Sequence, residues 1–303
     1  MVKANIIVLA AALHHLRAVS ERPNPPVSEL GLPTEWEYSD DCDFADVDLE
    51  KLRTFLPAVK EVLADWNLKV NESKTEFSTV YLAKQTDKDS NGQPIVNNEP
   101  WRSSKSLGSL LCTEKDIMRR RILADAAFKK FAKVWITGKK ISLDRKLRLY
   151  DAQVVSVLLY ISNSWSPTKA TLEKIDTLHR RHLRAILNIK WPKGQISNAA
   201  LYKRCNVDKL SERIANQRWK MFGHILRSSE NTPAQLALLF AVESDNMFVG
   251  RLGRPRMNLF SVLKRDLNDR NLSINDVHEL NEVKDIAKCQ KCWSNLYGHR
   301  LQY

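Results

Sequence analysis

The stretch EWEYSDDCDF, Glu35 to Phe44, sets two adjacent aspartates behind an aromatic residue in an acidic run. From Ser28 to Glu50 there are nine Asp or Glu and no Lys or Arg, in a chain whose formal net charge is +13. Like charge at this density repels itself unless water or a cation neutralises it. Trp36, Tyr38, Cys42 and Phe44 flank the aspartates at even spacing. A period of two broken by a polar turn predicts a short β-hairpin with Ser39-Asp40-Asp41 near its tip. Adjacent carboxylates at such a tip suit a hard divalent cation such as Mg²⁺, with a solvated acidic loop as the plainer alternative.

Outward from the hairpin the pattern changes period. Leu49, Leu52, Leu56, Val59, Val62 and Leu63 share one helical face up to Trp66. NLKVNESKTEFSTVYLA then reads as strand, polar turn and strand, and the Gly- and Pro-marked KQTDKDSNGQPIVNNEP as an exposed loop. Upstream, Asn5 to Val19 is helix-like and runs into RPNPPVSELGLP, whose four prolines and one glycine exclude regular helix. The second half reads almost entirely helical. Ile122, Ala126, Phe131, Val134 and Trp135 suit one helix, and Leu147, Tyr150, Val154, Leu158 and Ile161 the next. Leu172, Ile175, Leu183, Ile186 and Leu187 suit a third.

At 303 residues and 43% hydrophobic, the chain is long enough for two or three subdomains. A pI near 9.5 points to a polyanionic partner, nucleic acid before an acidic membrane surface. Five cysteines, few and odd in number, argue for a reducing, intracellular setting over a disulfide scaffold. The apolar run from Ile6 to Leu13 is shorter than a membrane span and is followed closely by two histidines and an arginine, so we read it as an amphipathic or buried helix.

YSDDCDF resembles the Tyr-x-Asp-Asp hairpin of reverse transcriptases. LEKLRTFLPAVKEVLADWNLKVNESKTEF is similar to the helix and turn that follow that hairpin in retrotransposon polymerases without long terminal repeats. SLGSLL resembles the Leu-Gly hairpin that grips the primer in those enzymes. The segment from Asp116 to Trp165 looks like their thumb and following helices. RWKMFGHILR and GRLGRPRMNLFSVLKRDL resemble their carboxy-terminal Gly-His-x-x-Arg and Gly-Arg-Pro signatures. The likeness runs from about Leu9 to Leu296, and its weight lies in the order of six motifs.

The resemblance implies an α+β fold: a partial polymerase palm with a β-hairpin over residues 1–111, a thumb-like helical region over 112–195 and a C-terminal helical region over 196–303. It implies Asp40 and Asp41 as catalytic Mg²⁺ ligands, Tyr38 beneath the nucleotide–primer junction and Lys74 near the incoming phosphates, the plainer role for Lys74 being a surface lysine on a turn. Leu107 and Gly108 would hold the primer end. It also implies an RNA template and a DNA primer as partners, and a nuclear setting. No Asp or Gln precedes Asp40, whereas a reverse transcriptase takes a further aspartate and a Gln-Gly loop from that side. NIIVLAAALHHLRAV then reads as a helix entered midway, and the polypeptide alone is expected to be a catalytically inactive fragment. The alternative is a non-catalytic, basic nucleic-acid-binding or helical interaction protein.

From Met118 to Arg148 eleven Lys or Arg face two Asp, and the candidate phosphate contacts are Arg119, Arg120, Arg121, Lys129, Lys130 and Lys133. Arg180, Arg181 and Arg184, with Lys190 and Lys193, form a second cluster. Such rows can track a phosphate backbone, although solvated helix faces are the ordinary reading of each alone. Cys289-x-x-Cys292 with His299 lacks the fourth ligand a structural zinc site wants, which argues against zinc. His179 and His182, three apart on one helical face, fit packing or a phosphate contact better than a metal.

Overall fold

The computed structural model describes residues 35–38, 41–44, 49–72, 75, 105–137, 140–189, 194–244 and 258–298. They are mostly helical, with two separate two-stranded antiparallel sheets. The chain divides into two compact units, Met1–Leu111 with Ser229–Ser244, and Cys112–Ser228 with Asp245–Tyr303.

In the first unit β1 (Glu35–Tyr38) pairs antiparallel with β2 (Asp41–Phe44), from Glu35 opposite Phe44 to Tyr38 opposite Asp41. Helix α1 (Leu49–Asp65) follows and carries Pro57 in its interior, where the ring removes one backbone donor. Val59 and Leu63 are buried, with Phe55, Val62, Leu68 and Val70 packed on them. The helix closes on Asn67 at φ 56°, and Leu68 N–H returns to the Leu63 carbonyl at 2.9 Å. That left-handed residue, sometimes Asn where glycine is usual, satisfies the orphan carbonyls of the last turn. Leu68 to Asn71 is irregular, not the strand expected there. The second hairpin joins β3 (Lys105–Ser106) to β4 (Ser109–Leu110) through Leu107 and Gly108, both at positive φ. Two such residues make the primed turn whose twist suits a tight hairpin. Helix α7 (Pro233–Ser244) belongs to the same unit and buries Leu238 and Val242.

The second unit begins with α2 (Thr113–Lys130) and a π-helical stretch, Lys133–Thr137. Helix α3 (Leu143–Tyr150) continues through π-helical Asp151–Val155 and a last turn, Ser156–Leu158. After it come α4 (Lys169–Ile186), α5 (Asn198–Cys205) and α6 (Leu210–Arg227). Then α8 (Leu259–Asn268), α9 (Val277–Lys288) and α10 (Gln290–Gly298) complete it. Its core joins Ile117, Ala124 and Phe128 of α2 to Trp135, Tyr150, Val154 and Leu158, and to Ile175, Leu183 and Ile186 of α4.

Two expectations are corrected here. The buried face of α2 is Ile117, Ala124 and Phe128, whereas Ile122 and Ala126 lie on its exposed side. The helix expected to run on to Ile161 stops at Leu158, and Ile161 takes a left-handed φ of 57°. Beyond it the chain re-enters the core through Trp165, whose indole N–H donates to Asp116 at 3.0 Å.

Candidate nucleic-acid interface

Asp125 is where the two basic clusters meet. It lies on α2 four residues before Lys129, whose ammonium approaches its Oδ2 at 2.9 Å. Arg181 of α4, 56 residues away in sequence, donates to the other carboxylate oxygen. His182 Nε2 lies 3.2 Å from that same oxygen. Partial burial alone would raise the Asp125 pKa, but the hydrogen bonds from Lys129 and His182 and the charges of Arg181 and Lys129 outweigh it and hold the carboxyl at about 2. One ionised carboxylate therefore pins a lysine and an arginine from different helices side by side. Lys129 and Arg181 stay largely exposed, and Lys130 and Lys133 are exposed farther along the same segment. A surface of this kind offers several cations to a phosphate backbone with no base-reading chemistry.

Behind this surface the polar groups continue inward. Burial pushes the His182 pKa down to about 4 against the opposing pull of Asp125, so the ring is neutral at pH 7. An ionised Asp125 can only accept, so Nε2 carries the proton, and Nδ1 accepts from the Tyr150 hydroxyl at 3.2 Å. The ring stacks on Phe128, centroids 4.0 Å apart. His179 is equally buried, its pKa depressed to about 3 chiefly by burial. Both histidines are therefore packed inside, the first of the two roles, packing or phosphate contact, that their spacing left open.

The remaining candidates separate. Arg120 is only 7% exposed, its guanidinium 4.5 Å from the Tyr160 ring centroid and its Nε 3.6 Å from buried Asp116. Burial removes it from the phosphate-contacting row, which corrects the expectation for this residue. Arg119 leans toward the same Asp116 at 3.8 Å, and Arg121 is half-buried. Arg180 donates to Glu173 at 2.5 Å and to Thr177, and lines a cleft of about 520 Å³ with Tyr202, Lys209 and Ser211. Arg184 donates to Asn198 at 2.7 Å. Arg180 and Arg184, one turn apart, thus both face α5, while Arg181 turns to Asp125 of α2. Lys190 and Lys193 lie outside the described residues.

Of the hairpin residues, Tyr38 and Asp41 sit opposite one another at the end of the β1–β2 ladder. Asp40 and Lys74 lie outside the described residues, as does the helix expected over Asn5 to Val19. Leu107 and Gly108 form the turn of the second hairpin, as SLGSLL suggested.

RWKMFGHILR proves to be a packing device. Arg218 grips Asp266 of α8 through Nε at 2.7 Å. The Trp219 and Trp293 rings stack at 4.0 Å, and each indole N–H donates to the other residue's carbonyl, at 2.9 and 3.0 Å. A Cβ on Gly223 would overlap the Trp293 ring. Arg227 reaches the Ala287 carbonyl at the end of α9, at 3.1 Å, while His224 is exposed.

Sequence reading missed Asp125 and Asp116. The available signal was their rarity, two carboxylates spaced i,i+4 to Lys129 and Arg120 within a cationic helix.

Among the described residues no group of three or more His, Cys, Asp or Glu could hold a metal ion, and no helix is long and apolar enough to cross a membrane. Cys289 and Cys292 are bonded to each other, and His299 lies outside the described residues. No family model, curated protein or solved structure matches the chain.

Proposed function

We propose that this chain is the carboxy-terminal part of a reverse transcriptase of a retrotransposon without long terminal repeats, and that its second unit holds the primer–template. The observation that carries the reading is the hairpin with Tyr38 opposite Asp41, inside the Tyr-x-Asp-Asp motif. The order of the remaining motifs supports it. The adjacent Asp40 and Asp41 supply oxygen donors that fit Mg²⁺, which when bound would activate the primer hydroxyl and stabilise the leaving oxygen. Tyr38 would support the nucleotide–primer junction, Lys74 would approach the incoming phosphates, and Leu107 and Gly108 would hold the primer end. Lys129, Lys130, Lys133 and Arg181 would follow the phosphate backbone.

No aspartate precedes Asp40 in this sequence. Binding without extension is the second, non-catalytic reading, and the exposed cations around Asp125 favour it. The test is primer extension on an RNA template with Mg²⁺, beside a salt titration of binding to the same primer–template. Salt-sensitive binding without extension is the expected result. Extension abolished by Asp40→Ala/Asp41→Ala would show a complete site and overturn the non-catalytic reading. Absence of both activities would leave only an inherited fold.

A further inference from the structure

Cys289-Gln290-Lys291-Cys292 occupies the junction of α9 and α10. Cys289 leaves α9 with an extended backbone, φ −82° and ψ 95°, and its sulfur accepts the backbone N–H of Cys292 at 3.2 Å. It thus stands as the N-cap of a nine-residue helix, where unpaired amide groups favour a negative charge. The second observation is the pairing itself: the two cysteines are bonded, with Cα atoms 5.2 Å apart, inside the range a disulfide tolerates. Both are exposed and are flanked by exposed Lys288 and Lys291. Cys112 and Cys205, which are free, are instead buried. Accessible thiols with a helix N-terminus and nearby cations are the setting in which a thiolate forms near neutral pH.

We propose that Cys289 and Cys292 are a reversible dithiol–disulfide couple that exchanges with small-molecule disulfides, with Cys289 as the attacking thiolate. Cys289 loses its proton to solvent and attacks one sulfur of a glutathione-type disulfide, forming a mixed disulfide and expelling one thiolate. The Cys292 thiolate then attacks the Cys289 sulfur, closing the internal disulfide and expelling the second thiolate. The two cysteines together lose two electrons, the small disulfide gains two, and the two protons released protonate the leaving thiolates. Trp293, next in sequence, is held on α6 by its stacking and by both indole hydrogen bonds, so the helix carrying Cys292 stays seated in either state. The couple does not depend on the polymerase reading.

The test uses the full chain, equilibrated in buffers of reduced and oxidised glutathione. The thiols are then alkylated and the Cys289–Cys292 peptide is mapped by mass after digestion with a protease that spares lysine. The expected result is a passage from two alkylated thiols to none as the oxidised fraction rises. In Cys292→Ser, Cys289 should capture one glutathione about threefold faster at pH 7 than Cys292 does in Cys289→Ser. A thiol pKa lowered by one unit gives roughly eightfold more thiolate and surrenders about threefold in intrinsic nucleophilicity. Thermal melts overlaying those of the reduced wild type would show that both variants are folded. A pair that stays reduced at every ratio, or equal capture rates in the two variants, would overturn the proposal. So would stoichiometric zinc uptake that shields both thiols, which would make this a metal site.

Discussion

Asp125 and His182 make one residue-scale prediction together. Unfolded, both buried histidines take up a proton as the pH falls through about 6.5. Folded, His182 does so only near 4 and His179 only near 3. Across that window the unfolded chain binds more protons, so stability falls as the solution is acidified from about pH 6.5 to 4, by up to roughly 3 kcal/mol per histidine. Asp125, held at about 2, adds a further loss below its unfolded value. Urea denaturation at pH 7, 5.5 and 4.5 checks this, and His182→Asn should flatten part of the slope. Gly223 gives a second expectation. A methyl group there would overlap the Trp293 indole, which is held by stacking on Trp219 and by both indole hydrogen bonds, so Gly223→Ala should cost about 1–3 kcal/mol, read as a lowered Tm.

At the scale of elements, Ile161 holds a left-handed conformation that a β-branched residue adopts only at a cost. It is half-buried and is not among the residues packed on the core. Ile161→Asn should therefore leave stability unchanged or raise it by up to about 1 kcal/mol in a denaturant titration, because Asn tolerates this conformation. A π-helical stretch, Asp151–Val155, separates α3 from its last turn, Ser156–Leu158, and the helix breaks before Ile161. No apolar spacing in the sequence announces such a stretch, which is why the break before Ile161 was not legible. The buried face of α2 was hidden differently, because two of its five buried residues are Asp116 and Arg120. A reading by hydrophobicity gives those positions to solvent and turns Ile122 inward. At Ile175, Leu183 and Ile186 of α4 the apolar spacing sufficed, although Asp176, His179 and His182 share that buried face. The hairpins were legible too, the first from Tyr38 and Cys42 flanking a polar turn and the second from the resemblance of SLGSLL to a Leu-Gly hairpin. The convergence on Asp125 was not, since it joins residues 56 apart.

For the whole molecule, the charge argument becomes a measurement. If Lys129, Lys130, Lys133 and Arg181 neutralise phosphates, replacing each by Gln should reduce the slope of log affinity against log salt by about 0.9 on a duplex, whatever its sequence. Arg120→Gln should behave otherwise, lowering Tm because it leaves buried Asp116 with less compensation. The second unit is also discontinuous along the chain, built from Cys112–Ser228 and Asp245–Tyr303. The Trp219–Trp293 clasp, with Arg218 on Asp266 and Arg227 on Ala287, ties those two pieces across a gap in sequence. Covalent continuity between them is therefore dispensable for their association. Two polypeptides, one ending after Arg227 and the other beginning before Asn258, should find each other when co-expressed and purify as a pair. Trp293→Ala in the shorter polypeptide should abolish the recovery.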